Sequence, residues 1–324
     1  MAKIFTFSEP GAVPAAAAVL RDGGLVAFPT ETVYGLGVNA LNPKAVARVF
    51  ETKGRPRFDP LIVHVADYGQ LGEIIADFPP KAKALAKHFW PGPLTLVLPK
   101  KGVVPDIVTA GLTTVAVRIP AHPVALDLIR EAQVSIAAPS ANRFGRLSPT
   151  CAAAVNEELG DAVDLVLDGG PCRVGVESTI ISFADREPLL LRPGGVGAEE
   201  IETIVGPLLI PDRTEARPLS PGRLPRHYAP RTPLVLWSGS NLTIDGKRIG
   251  LLTLQPPLNQ DHFVAVEVLS KSGDLHEAAA NLFAAMRRLD SLGLDLILAY
   301  PVPNHGVGLA INDRLLRASV DSHT

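Results

Sequence analysis

Short apolar runs alternate with amphipathic stretches along most of the chain, the pattern of an α/β protein. Buried strands are predicted over residues 25–28, 61–66, 94–98, 115–119, 134–138, 164–167, 178–183 and 189–191. Helices are predicted over 13–22, 82–90 and 149–158. A further helix is opened by Asn42-Pro43 and closed at Gly54, with Ala45, Val46, Val49 and Phe50 as its apolar face. The pattern then breaks. Prolines at 207, 211, 218, 221, 225, 230 and 233 are mixed with arginines, a semi-rigid extended linker. Beyond it, strands are predicted over 234–237, 249–254, 264–269 and 294–299. An amphipathic helix over 274–292 carries Leu275, Ala279, Leu282, Met286 and Leu289 on one face, and a last helix covers 309–318. No dinucleotide glycine fingerprint or P-loop occurs in this second half.

Composition narrows the reading. A chain of 324 residues points to two domains. The net charge of -2 argues against a surface that traps nucleic acid everywhere, while leaving room for a local basic groove. The two cysteines, Cys151 and Cys172, have no C-x-x-C spacing, which supports neither a zinc ribbon nor a disulfide framework. The first residues, MAKIFTFSEPG, lack the apolar core of a signal peptide, and no apolar run is long enough to span a bilayer. A cytoplasmic protein with no membrane contact is expected.

Candidate chemistry sits in the loops. KGRPRFDPLIVH, residues 53–64, places Lys53 and Arg55 where a helix gives way to a Gly/Pro-punctuated loop. Such cations either complement a helix dipole or hold phosphate. His64, inside an apolar strand, reads first as a satisfied core residue. Arg118, inside VAVRI, needs an acidic partner, which is either a structural carboxylate or a bound anion. Ser140 and Asn142 stand at a strand end in PSAN, where open α/β sheets keep ligands. GVEST, Arg192 before a Pro-Gly-Gly turn, and Arg226-His227-Tyr228 in the linker complete the set, the last being suited to close over a ligand.

In order along the chain, PTETVYGLG, KGRP with PLIVH, TVAVRIP, APSAN, GVESTI, LLRPG and HYAP resemble the YrdC-like family in its long two-domain form, the threonylcarbamoyl-AMP synthases. The resemblance implies a twisted open α/β sheet with a concave basic groove over residues 1–206. It also implies a linker over 207–231 that closes on the active site, and a smaller Rossmann-like α/β domain over 232–324. The implied reaction joins L-threonine, bicarbonate and ATP into threonylcarbamoyl-adenylate and pyrophosphate, for N6-threonylcarbamoyladenosine in tRNA. Lys53, Arg55, Ser140 and Asn142 match the family's catalytic K-x-R and S-x-N. Thr32, His64, Arg118, Ala138 and Ser178 would form the threonine pocket. ATP would meet Arg55, Asp59, Thr114, Ser140, Ser148, Arg192 and Tyr228. Mg2+ would ride on the ATP phosphates rather than in a carboxylate cage. Downstream tRNA threonylcarbamoyl-transfer proteins are the implied partners, with tRNA itself as a further one.

Three positions depart from the family pattern. Asp59 stands where asparagine is usual, and a carboxylate beside phosphates is expected to weaken ATP binding or change its Mg2+ dependence. Arg223 and Pro225 replace a methionine and an aromatic in the linker. Two competing readings are a non-catalytic RNA-binding maturation module that uses the basic groove, and the carbamoyl-transfer domain of hydrogenase maturation proteins. The latter ranks last because its zinc-finger cysteines are missing.

Overall fold

A computed structural model describes residues 3–185, 187–210, 227–237 and 246–320. The helices of the first part are α1 (Ala12–Arg21), α2 (Pro43–Lys53), α3 (Tyr68–Ile74), α4 (Pro80–Phe89), α5 (Asp106–Thr109), α6 (Pro123–Ala132), α7 (Ala152–Leu159) and α8 (Ala198–Val205). Helix α2 obeys its end signals. Asn42 accepts hydrogen bonds from the N–H groups of Lys44 and Ala45, Pro43 opens the helix, and Gly54 ends it in the left-handed region. That ending fixes where Lys53 and Arg55 leave the helix.

Ten strands make one mixed, twisted sheet. They are β1 (Lys3–Thr6), β2 (Val26–Phe28), β3 (Gly35–Asn39), β4 (Ile62–His64), β5 (Leu94–Pro99), β6 (Thr114–Arg118), β7 (Ile136–Ala137), β8 (Leu165–Asp168), β9 (Thr179–Ser182) and β10 (Leu189–Arg192). Their order is β1-β8-β2-β3-β7-β4-β6-β5-β9-β10. Strand alternation divides the two faces. Val63 and Val117 point into the main core, whereas their neighbours Ile62 and Ala116 belong to a small cluster on the other face. His64 and Arg118 share that second face and lie directly opposite each other in the β4/β6 register.

Helices α3, α5, α6 and α8 and strand β1 are not predicted by the apolar pattern. Helix α6 shows why: its N-cap, His122, makes no side-chain cap bond. Its residues Ala125, Leu128 and Ile129 are instead held by a shared cluster with Ala16, Ala17 and Leu20 of α1. The strand expected over 134–138 shrinks to two residues because the chain then turns into Pro139, although the Ala138 N–H still donates to the Ile62 carbonyl.

The second part holds β11 (Leu234–Leu236), β12 (Ile249–Thr253), β13 (Ala265–Val268) and β14 (Leu296–Ala299), all parallel in the order β11-β14-β12-β13. Helices α9 (Leu275–Asp290) and α10 (Gly308–Ala318) accompany them. Leu282, Met286 and Leu289 of α9 pack in a core that also takes in Val33, Leu147, Val176 and Tyr228, so one apolar cluster joins the two sheets. At Gly175 the chain has a φ of 75°, and a Cβ there would come within 2.3 Å of the Ala279 carbonyl oxygen of α9. Glycine alone allows that approach.

Candidate active site

The second face of the large sheet carries a cleft. Thr32, Arg55, Ile62, His64, Arg118, Ala138, Ser140, Glu177, Ser178, Arg192, His227 and Tyr228 are among its lining residues. Ile62 and His64 are two apart on β4 and therefore face the same way. Arg118 reaches the cleft from the end of β6.

Arg118 has the acidic partner that its burial demands. Its Nη2 lies 2.5 Å from Oε1 of Glu31, with both side chains buried. Its Nε donates to the Gly92 carbonyl at 3.1 Å and its Nη1 to the Thr32 hydroxyl at 3.0 Å. The Thr32 hydroxyl also meets that of Thr30 at 2.8 Å, and Thr30 donates to the Val33 carbonyl at 2.6 Å. The PTETV turn thus aims one face of the guanidinium. Burial, reinforced by the Arg118 charge, pushes His64 down to about 3, so the ring is neutral at physiological pH. Its Nδ1 has no hydrogen-bond partner among the described residues.

The cations of K-x-R do different things. Lys53 is buried, and its ammonium donates to the carbonyl oxygens of Ser140, at 2.6 Å, and Asn142. Burial, with the Arg55 charge beside it, drives this amine well below the usual lysine range. It stitches the end of α2 to the PSAN loop and is not among the cleft-lining residues. Arg55 does line the cleft. It pairs with Oδ2 of the fully buried Asp59 at 2.9 Å and donates to the Asp59 and Pro60 carbonyls at 3.2 and 2.8 Å. Burial raises the Asp59 carboxyl, a push that Arg55, Arg192 and Lys53 oppose.

Arg192 donates from Nη2 to the Ser178 carbonyl at 3.0 Å and to its hydroxyl at 3.2 Å. The Ser178 hydroxyl also meets that of Thr95 at 2.7 Å. The Pro-Gly-Gly turn that follows packs against Ser178 itself, since a Cβ on Gly194 would fall 2.3 Å from the Ser178 carbonyl carbon. Tyr228 is buried with a φ of 60° and stacks edge-on to His227, which in turn meets Phe144. Burial, followed by the surrounding Arg55 and Lys53 charges, keeps His227 well below its ordinary value.

Of the residues predicted from sequence, Thr32, Arg55, His64, Arg118, Ala138, Ser140, Ser178, Arg192 and Tyr228 meet in the cleft. Asn142 lies beneath it, donating to the Arg143 and Arg146 carbonyls, and its Oδ1 is unpartnered among the described residues. Ser148 also lies beneath, donating to Oε1 of Glu177 at 2.5 Å. Thr114 begins β6, about 13 Å along the strand from Arg118, outside the lining. Arg223, Pro225 and Arg226 fall outside the described residues. The motifs contained Glu31 and Glu177 without assigning either a part. A buried arginine in an apolar strand was the signal for Glu31; nothing local marked Glu177, whose partner Arg314 arrives from α10 of the second part. Among the described residues no group of three or more histidines, cysteines or carboxylates could hold a metal ion.

Two family profiles match the chain, one after the other. The one described as "Telomere recombination" covers residues 18–194, and the one described as "Threonylcarbamoyl-AMP synthase, C-terminal domain" covers 196–320. Threonylcarbamoyl-AMP synthase of Bacillus subtilis is 47% identical over 94% of this chain and 92% of its own length. The protein of the same name from Pyrococcus abyssi is 45% identical over 94% and 93%. The crystal structure of P. abyssi Sua5 complexed with L-threonine superposes with a TM-score of 0.92 at 43% identity, covering 98% of this chain and 97% of that one.

Proposed function

Because the chain belongs to the threonylcarbamoyl-AMP synthase family, we propose that its cleft joins L-threonine, bicarbonate and ATP into threonylcarbamoyl-AMP and pyrophosphate. The observation that carries this reading is that two kinds of group line one cleft. Arg118 and neutral His64 sit in register on adjacent strands. Arg55 and Arg192 line the same cleft.

The threonine carboxylate is the natural ligand of Arg118, whose orientation is already fixed by Glu31, Thr32 and Gly92. Thr32, Ala138 and Ser178 complete that pocket. The threonine amine takes up the carbon of bicarbonate with loss of water, and a carbamate oxygen then attacks the α-phosphorus of ATP as pyrophosphate departs. Both partners are anions, so catalysis is chiefly neutralisation and alignment. Arg55 and Arg192 supply positive charge there. Ser140 adds a neutral hydrogen bond, while Lys53 and Asn142 act from below by fixing the Ser140 loop. Tyr228 covers the nucleotide, with Ser148 on the same side, and Thr114 could be reached only by its far end. Mg2+ arrives with the ATP phosphates as part of that substrate.

Residues 1–206 form the catalytic unit, 207–231 the segment that closes over it, and 232–324 the second unit. Product passes to tRNA threonylcarbamoyl-transfer proteins. The cytoplasm is the proposed place of work, and no helix among the described residues is long and apolar enough to cross a membrane. Incubation of the purified protein with L-threonine, bicarbonate and Mg-ATP should yield threonylcarbamoyl-AMP by mass spectrometry and threonine-dependent pyrophosphate. Folded protein that gives neither would sink the enzyme reading in favour of an RNA-binding module.

A further inference from the structure

Arg314 is completely buried, yet it belongs to α10 of the second part rather than to the cleft. Its Nε donates to Oε2 of Glu177 at 2.8 Å, and its Nη1 donates to Oδ2 of Asp313 at 2.7 Å. The guanidinium carbon lies 4.9 Å from the centroid of the Tyr228 ring, within the range of a cation–π contact. Glu177 and Tyr228 both line the cleft. The other oxygen of Glu177 accepts from Ser148. One side chain from the second part therefore touches two cleft walls and, through Glu177, a third residue beneath them.

A buried, charged fork is seldom a better stabiliser than an apolar side chain of its size, because its desolvation offsets most of the Coulombic gain. Fixing orientation is what a guanidinium does better. Tyr228 needs such fixing, since its φ of 60° is a strained setting for a non-glycine residue. We propose that Arg314 is a positioning residue for the nucleotide end of the cleft, holding Tyr228 over that end and Glu177 against Ser148. The second part of the chain is thereby a component of the active site. This rests on the threonylcarbamoyl-AMP reading.

Pyrophosphate release by the full-length protein, with ATP and threonine varied separately, tests it in Arg314→Lys and Arg314→Met. The lysine keeps the buried charge but not the planar fork. Arg314→Lys should lower kcat about fivefold and raise the KM for ATP about threefold, with the KM for threonine within about twofold of the parent. Arg314→Met should lose about tenfold or more in kcat. Arg288→Met, on the exposed side of α9, is the control for damage to the second part and should match the parent. Parental kcat and KM for ATP in Arg314→Lys overturn the proposal, whatever the melting temperature and whether or not the methionine variant folds. So does a loss that raises both KM values together and abolishes threonine binding, which marks general unfolding. Failure of the parent protein to release pyrophosphate would instead sink the reading on which the proposal rests.

Discussion

At the scale of single residues, the cleft is a set of buried charges that compete for one another before any ligand arrives. Asp59 is the clearest case. Its carboxylate pairs with Arg55, the cation that the proposed mechanism offers to phosphate, so ligand and carboxylate draw on the same guanidinium. Asp59→Asn should lower the KM for ATP severalfold, while the loss of a buried ion-pair partner costs about 3 kcal/mol or more of stability. An unchanged KM for ATP would count against this account. Glu177 gives a pH dependence. Burial alone would raise its carboxyl, but Arg314, Arg192 and the Ser148 hydrogen bond hold it below the ordinary value of 4.5. The folded state therefore releases this proton more readily than the unfolded chain does. The stabilisation is complete above the unfolded value and is lost as pH falls through the folded one. Melting temperatures measured from about pH 7 down to about pH 3 should fall less steeply on the acid side in Glu177→Gln than in the parent. An identical acid limb in the two proteins would refute the assignment. Arg118 shows what sequence could say at this scale. Its place in an apolar strand demanded an acid, but Glu31, eighty-odd residues earlier in an unrelated turn, was found only by folding.

At the scale of elements, the ends of helices and strands decide what reaches the cleft. The stop of α2 at Gly54 was readable because an Asn-Pro start and a glycine end are local signals. The strands β4 and β6 were readable because runs such as LIVHVA and VAVRI are apolar in themselves. Helices α3, α5 and α6 were not, because their apolar faces are defined by what packs on them, as α1 packs on α6. The meeting of the GVEST loop with α9 is another such contact. Gly175→Ala should destabilise the protein by more than about 1 kcal/mol, since the new Cβ meets both a positive φ and the α9 backbone. Urea unfolding will show this as a lower midpoint, and a variant with the parental midpoint would mean that α9 is not held against that loop.

At the scale of the whole molecule, the two sheets share one apolar cluster and one chain of buried charge, so a ligand in the cleft should stabilise the entire chain. L-Threonine at a hundredfold excess over its Kd contributes about 2.7 kcal/mol, which corresponds to a rise in Tm of roughly 5 °C for a protein of this size. Arg118→Met should abolish the rise, and a rise that survived the substitution would place threonine elsewhere. The sequence by itself determined the α/β class, most strands, the proline-rich break and the ordered motifs that resemble the threonylcarbamoyl-AMP synthases, because each depends on neighbours close in the chain. Only the tertiary structure decided how those motifs divide their work. Lys53 is turned onto carbonyl oxygens, Arg55 onto Asp59 and Arg118 onto Glu31, and Arg314 is carried from the last helix to Glu177 and Tyr228. The physical reason is that a buried charge takes the partner that packing brings within a few ångströms, and that partner's distance along the chain leaves no trace in the local pattern.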